Sequence, residues 1–328
     1  GRWQRIVALV RPPIEREPAI GLDLPLEFEF DVVAADIGQP GLALRASDRR
    51  QLMATTFDAV VHSAAHVDHV RTYEQMKTAN CGACDELVEL TAPSRPRFIF
   101  VSSISATSPG AAEDLGSVPA ADVTKLGGGY GQTKWVGERR LAAAAQHGLL
   151  RSLCICRLGL IGPHSRTAEA NASDWVQLFL RAVLAVQAVP MMPADSSVSM
   201  LPVDTAVRAL TMLAADGIGT SVVQLDAQAA GVSPCPIAPL LSAAGGDTWP
   251  RIQYSEWHGR VRSAGGAAEK ALAVLPAAAE GAFELPSAAR GDLQRSGAVA
   301  ALLGAPLQER NCYSTAEFQR QWAKHVAV

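Results

Sequence analysis

Three residues in one stretch of this chain have the types and spacing for proton-coupled hydride transfer. Ser103 closes the run RFIFVSS, and Tyr130 and Lys134 sit in YGQTK a short way downstream. Residues four apart on a helix share a face, so the Lys134 ammonium can stand beside the Tyr130 phenol. A cation there is expected to lower the phenol from its ordinary pKa of about 10 toward the working range, which makes Tyr130 a usable proton donor or acceptor. Ser103 falls at the C-terminal end of an apolar strand, the edge where open parallel sheets carry ligands, and its hydroxyl can hold a substrate carbonyl oxygen. Ser102 competes with it for that role. Tyr-x-x-x-Lys alone recurs by chance in helices; the preceding strand with its terminal serines gives the spacing its meaning.

The elements that must hold these residues alternate along the chain. Short runs rich in Val, Ile and Phe (RIVALV, FDVVAAD, DAVVHSAA, RFIFVSS, LCICRLG and SVVQLD) read as strands, several of them apolar throughout as strands covered on both faces should be. Between them, TYEQMKTANCGACDELVELTA and GQTKWVGERRLAAAAQHG have helical period, with Gly148 stopping the second. Alternating strand and helix predicts an α/β fold with a Rossmann-like doubly wound parallel sheet, whose right-handed crossovers put the loops after VVHSAA, FVSS and CRLG along one edge. Beyond residue 163 the pattern loosens into helices near 171 to 187 and 204 to 215. After residue 228 the chain is rich in Ala, Gly and Pro, with Trp249, Trp257 and Trp322. The expected division is a nucleotide-binding domain over 1–163, to which 201–228 returns, and a smaller, mainly helical substrate lobe over 164–200 and 229–328.

Composition excludes several partners. The 328 residues carry 29 Lys and Arg against 32 Asp and Glu without a basic block, so neither nucleic acid nor an anionic membrane surface is expected as a partner. The longest apolar stretch, LFLRAVLAVQAVPMM, is broken by Arg181 and Gln187 and is too short and polar to span a bilayer. No leader is visible, and a cytoplasmic location is the expectation. The six cysteines are expected to be reduced, and Cys81 and Cys84 of CGAC to be buried helix residues rather than a redox pair. His62, His66 and His69 cluster in sequence, but no acidic or cysteine partner has ligand spacing, so no metal is expected.

In order along the chain, ALVRP, AADIGQPGLAL, VVHSAAHVDHV, TYEQMKTANCGACDELVEL, FIFVSSIS, YGQTKWVGERRL, CRLGLIGP, NASDW and LPVD together resemble the extended short-chain dehydrogenase/reductases. Within them the likeness is to the terminal thioester reductase domains of nonribosomal peptide and polyketide synthetases, and it covers about the first two-thirds of the chain. That family begins with a strand and a Gly-rich turn that receives the pyrophosphate at a helix N-terminus. Neither is evident before RIVALV, which looks like the second strand, so the sheet is expected to lack a central strand and the chain by itself to bind cofactor poorly.

The resemblance implies NADPH as cofactor and assigns residues to it. Arg11, at the end of the second-strand candidate, suits the 2′-phosphate where an NAD enzyme usually has a carboxylate. Asp36 resembles the acid that accepts from the adenine amino group, with Ile37 on the ring. Ala64 and Ala65 leave room for the dinucleotide. Asn80 resembles the asparagine that supports the active site, reaching toward Lys134 through a water. Leu160 in RLGLIGP is assigned to the cofactor, and Gly162 and Pro163 turn the chain across the nicotinamide. Arg157 and Leu158 stand where many relatives have Arg-Pro. Asn171, Asp174 and Trp175 begin a helix that either shapes a substrate pocket or is simply capped and packed.

The implied reaction is reduction of an acyl or peptidyl thioester held on the phosphopantetheine arm of an upstream carrier domain, releasing an aldehyde. Ser103 and Tyr130 stabilise the oxyanion, Tyr130 supplies the proton, and Lys134 binds the nicotinamide ribose. A second round giving the alcohol stays open. Alternatives are an extended reductase acting on a coenzyme A ester or a free small molecule, and a non-catalytic fragment that docks a carrier protein.

Overall fold

The computed structural model describes residues 3–13, 28–68, 70–107, 120–126, 128–215, 219–227, 230–274 and 312–327. Each apolar run of the sequence becomes a strand: β1 (Arg5–Val10), β2 (Glu29–Ala34), β3 (Ala59–His62), β4 (Arg97–Ser103), β5 (Ser152–Leu158) and β6 (Ser221–Leu225). β1 and β2 pair in parallel, Arg5 opposite Glu29 through Val10 opposite Ala34. The others form a four-stranded sheet in the order β6-β5-β4-β3, with β3 parallel to β4 and His62 opposite Phe100. Among the described residues no strand joins the two sheets. Burial follows the same division: β4 and β5 are nearly covered, whereas the equally apolar β1, β2 and β3 are half-buried and Val61 stays 46% exposed.

The chain divides into two compact units, the first comprising residues 1–108, 114–157 and 210–223 and the second 109–113, 158–209 and 224–328. In the first, helices α1 (Ala46–Ala54), α2 (Tyr73–Lys77), α3 (Ala83–Thr91) and α4 (Gly128–Gln146) accompany the strands. Alternation along β4 aims Phe98 and Phe100 to one side, where they meet Ala83, Cys84, Leu87 and Val88 of α3 and Leu141 and Ala144 of α4, with Leu153 and Ile155 of β5 beside them. Burying each such side chain contributes about 1.5–3 kcal/mol. α2 starts at a capping box in which Thr72 and Gln75 satisfy each other's backbone N–H groups.

The second unit is mainly helical, with α5 (Trp175–Val186), most of α6 (Val203–Ala215), α7 (Ile237–Ala243), α8 (Tyr254–Ala264), α9 (Gly266–Val274) and α10 (Ala316–Ala327). Two aromatic groups organise it. Trp257 packs on Phe179 and Tyr254 while its indole N–H donates to the Ala188 carbonyl at 3.0 Å. Tyr313, Phe318 and Trp322 pack together at the C-terminus, and the Tyr313 hydroxyl donates to the Pro163 carbonyl at 3.0 Å. Asp174 caps α5 by accepting from the Val176 N–H, and burial raises its carboxyl pKa to about 6. The capping side of the alternative for Asp174 is therefore visible.

Candidate active site

β4 ends in two serines that alternation sends to opposite sides. Ser103, 9% exposed, is hydrogen-bonded to the Tyr130 phenol and accepts from the Ser105 N–H at 3.1 Å, which starts a tight turn over Ile104–Ala106. The Ser102 hydroxyl instead donates to Glu138 at 2.6 Å. The two hydroxyls therefore have different partners, Tyr130 for Ser103 and Glu138 for Ser102.

Tyr130 lies in the first turn of α4 and Lys134 one turn on. The Lys134 ammonium, 2% exposed, donates to the Val101 carbonyl of β4 at 2.7 Å, stands 4.7 Å from the centroid of the Phe100 ring, and is 5.9 Å from that of Tyr130. Here the expected depression of the tyrosine pKa is corrected. Burial pushes the Tyr130 phenol up to about 12, with the Ser103 hydrogen bond opposing it. Burial likewise draws Lys134 down to about 8, against the pull of Cys84 and Glu138. The phenol is protonated throughout the neutral range, the state required of a proton donor.

Two glycines let α4 come this close. A Cβ on Gly131 would overlap the Ser105 carbonyl oxygen, and one on Gly129 would overlap the backbone of Arg71, Thr72 and Tyr73. Asn80 sits in a π-helical turn, Thr78–Gly82, between α2 and α3, a local widening often found beside functional sites. Its amide oxygen accepts from the His66 N–H at 2.8 Å, and its nitrogen donates to the His66 carbonyl and the Thr133 hydroxyl, both at 3.0 Å. Thr133 in turn donates to the Tyr130 carbonyl at 2.8 Å. Asn80 therefore pins the loop that follows β3, carrying Ala64 and Ala65, to the first turn of α4. Its polar atoms are directed to His66 and Thr133 rather than to Lys134.

The other assigned residues cluster at the ends of β1 and β2. Arg11 and Asp36 line one cavity of about 240 Å³ with Pro12, Ala34, Ala35, Gln39 and Ala43. Asp36 accepts from the Gly38 N–H at 2.8 Å, while Ile37 packs against the core below. Arg11 and Asp36 follow the paired strands β1 and β2, whereas Ala64 follows β3 and Ser103 closes β4, where Tyr130 meets it. Leu160 belongs to the second unit, where its carbonyl accepts from the Leu201 N–H at 2.8 Å. A larger cavity, about 470 Å³ between β1, β2 and α1, contains none of the assigned residues.

Among the described residues no group of three metal-ligating side chains forms, and His69 lies outside them. His62 packs against Phe98 and Phe100. Cys81 and Cys84 are free and buried, each thiol donating to a backbone carbonyl, and burial raises them to about 11 and about 12. No helix among the described residues is long and apolar enough to cross a membrane.

Sequence reasoning missed the ion pair behind the site. The Arg157 guanidinium grips the Glu138 carboxylate with two contacts of 2.9 and 2.8 Å, both residues 2% exposed or less. The available signal was an arginine inside the strand run LCICRLG and a glutamate four residues after Lys134.

The chain is 30% identical over 221 residues to isonitrile lipopeptide synthase from Streptomyces coeruleorubidus, a match covering 63% of this chain and 15% of that protein. Its fold resembles the terminal R domain from the myxalamid PKS-NRPS biosynthetic pathway, with a TM-score of 0.69, 24% identity, and coverage of 91% of this chain and 75% of that one. It also resembles a thiolation-reductase di-domain from an archaeal non-ribosomal peptide synthetase, with a TM-score of 0.64, 16% identity, and coverage of 96% and 64%. The family described as Male sterility protein, an NAD-binding group, matches residues 21–210, more than half of the chain. With that span enclosing Asp36, Asn80, Ser103, Tyr130 and Lys134, the chain belongs to this NAD-binding family.

Proposed function

We propose that this chain reduces an acyl or peptidyl thioester, carried on the phosphopantetheine arm of a carrier domain, to an aldehyde at the expense of NADPH. The observation that carries the reading is the hydrogen-bonded Ser103 and Tyr130 pair at the end of β4, with Lys134 one helical turn behind it. Two observations support the cofactor assignment: Arg11 and Asp36 share a cavity, and Asn80 ties the loop that follows Ala64 and Ala65 to Thr133 of α4. The guanidinium of Arg11 favours the 2′-phosphate of NADPH over the bare ribose of NADH. When bound, NADPH supplies the hydride.

The residues then divide the work. Ser103 and Tyr130 hold the thioester carbonyl oxygen as negative charge develops on it. Tyr130, protonated at neutral pH, delivers its proton to that oxygen, and the hemithioacetal collapses to aldehyde and carrier thiol. Lys134 keeps a positive charge beside the phenol, available to the nicotinamide ribose. Since Lys134 titrates near 8, turnover is expected to fall as pH rises through that value.

The carrier-bound substrate is supported by likeness to a thiolation-reductase di-domain and to a lipopeptide synthase, of which this chain spans about one-seventh. A coenzyme A ester presents the same phosphopantetheine arm, so the assay compares the two. Protein expressed from its complete reading frame, given NADPH and acyl thioester, is followed by loss of NADPH absorbance and trapping of aldehyde. Tyr130→Phe is expected to lower turnover about 10²–10⁴-fold. Absence of turnover, or turnover indifferent to Tyr130→Phe, overturns the reading; preference for coenzyme A esters corrects the substrate.

A further inference from the structure

Glu138 does not touch Tyr130 or Ser103, yet it organises what surrounds them. It lies one turn after Lys134 on α4, is 1% exposed, and its carboxylate is occupied on both oxygens: Arg157 Nε and the Ser102 hydroxyl on Oε1, Arg157 Nη2 on Oε2. Three consecutive residues of β4 are thereby tied to α4: the Val101 carbonyl to Lys134, the Ser102 hydroxyl to Glu138, and Ser103 to Tyr130. A one-residue slip of strand against helix would break all three at once. A bidentate, fully desolvated guanidinium and carboxylate hold their geometry more strictly than apolar packing, at a cost in desolvation that stability alone does not require.

We propose that Glu138, gripped by Arg157 and Ser102, is a positioning residue for the reductase: it fixes Ser103 toward Tyr130 and keeps Lys134 cationic at its buried post. This inference deepens the functional reading above and rests on it. The groups that face Lys134 are Glu138 and Tyr130 on α4, Cys81 and Cys84 from the segment leading into and opening α3, and His62 from β3. Both thiols are raised well above neutrality and His62 is held neutral near pH 7, so Glu138 is the carboxylate among the groups that favour the ammonium.

The test uses Glu138→Met with Arg157→Met, a double substitution that removes both charges at similar volume and leaves no buried ion unpaired. The double variant is expected to melt near the wild type, to lose at least about tenfold in kcat with a smaller change in KM for NADPH, and to move the basic limb of its pH profile about one unit toward acid. A double variant that melts like the wild type and keeps both kcat and the limb overturns the inference. If it fails to fold, Ser102→Ala decides, since it preserves the ion pair and removes only the tie from β4: reduced kcat supports the inference and wild-type kcat overturns it. Titration of the Lys134 side chain by carbon-13 NMR, assigned with Lys134→Met, reads the same shift without turnover. A shift there in a protein that reduces no thioester means that the functional reading has failed and the role of Glu138 stands. An unshifted Lys134 in an active protein means that the role of Glu138 has failed and the functional reading stands.

Discussion

At the level of single residues, burial is the dominant influence on the chemistry. It raises the Tyr130 phenol to about 12 and lowers Lys134 to about 8, and it also holds His62 at about 3, with Lys134 repelling a second positive charge. The sign for His62 follows from linkage. Its folded pKa lies below the unfolded value, so its contribution to stability is complete above about 6.5 and is lost as pH falls toward 3, by up to about 1.4 kcal/mol per pH unit. His62→Phe is expected to flatten the difference in urea midpoint between pH 7 and pH 5; an unchanged slope would exclude His62 as its source. Arg11 offers a second test. Replacing it with alanine is expected to raise KM for NADPH about tenfold while leaving KM for NADH nearly unchanged, since only the 2′-phosphate needs the guanidinium.

Among elements, the decisive contact is that of α4 with the end of β4 and the start of α2. Gly129 and Gly131 are required there by close approach rather than by turn geometry, because any Cβ would meet backbone that has no room to yield. Gly131→Ala is expected to push the first turn of α4 off Ser105, separating Tyr130 from Ser103. The cost should be about 1–3 kcal/mol in unfolding free energy, with turnover falling further than the loss of folded protein explains. Chemical denaturation and kcat measured on the same preparation separate the two effects. The π-helical turn at Thr78–Gly82 works in the same direction, since the Asn80 it presents clamps loop and helix together.

For the whole molecule, the two units are stabilised differently. The first unit is built on the apolar strands β4 and β5, with the half-buried β1 to β3 beyond them; the second is closed by aromatic clusters drawn from distant stretches. Tyr313 reaches Pro163 across 150 positions, so the C-terminal helix α10 completes the packing behind the turn that follows β5. Trp322, fully buried among Tyr313 and Phe318, is the keystone of that cluster. Trp322→Ala is expected to cost about 3–5 kcal/mol, read as a lowered urea midpoint. A loss below about 1 kcal/mol would show that α10 docks without it.

By itself, the sequence determined the six strands, the helices around Asn80 and Lys134, and the constellation of Ser103, Tyr130 and Lys134. These are local properties: hydrophobic period, spacing on one helix face, and motifs contiguous in the chain. The charge state of Tyr130 and Lys134 was not legible, because desolvation depends on what covers a group and not on its neighbours in sequence. Nor were the partners of the two serines of FVSS, since which of them meets Glu138 and which meets Tyr130 depends on the side of β4 each faces. The pairing of Glu138 with Arg157 joins a helix and a strand whose contact exists only after folding. Tertiary structure alone decided it, because a buried charge chooses its partner by proximity in three dimensions.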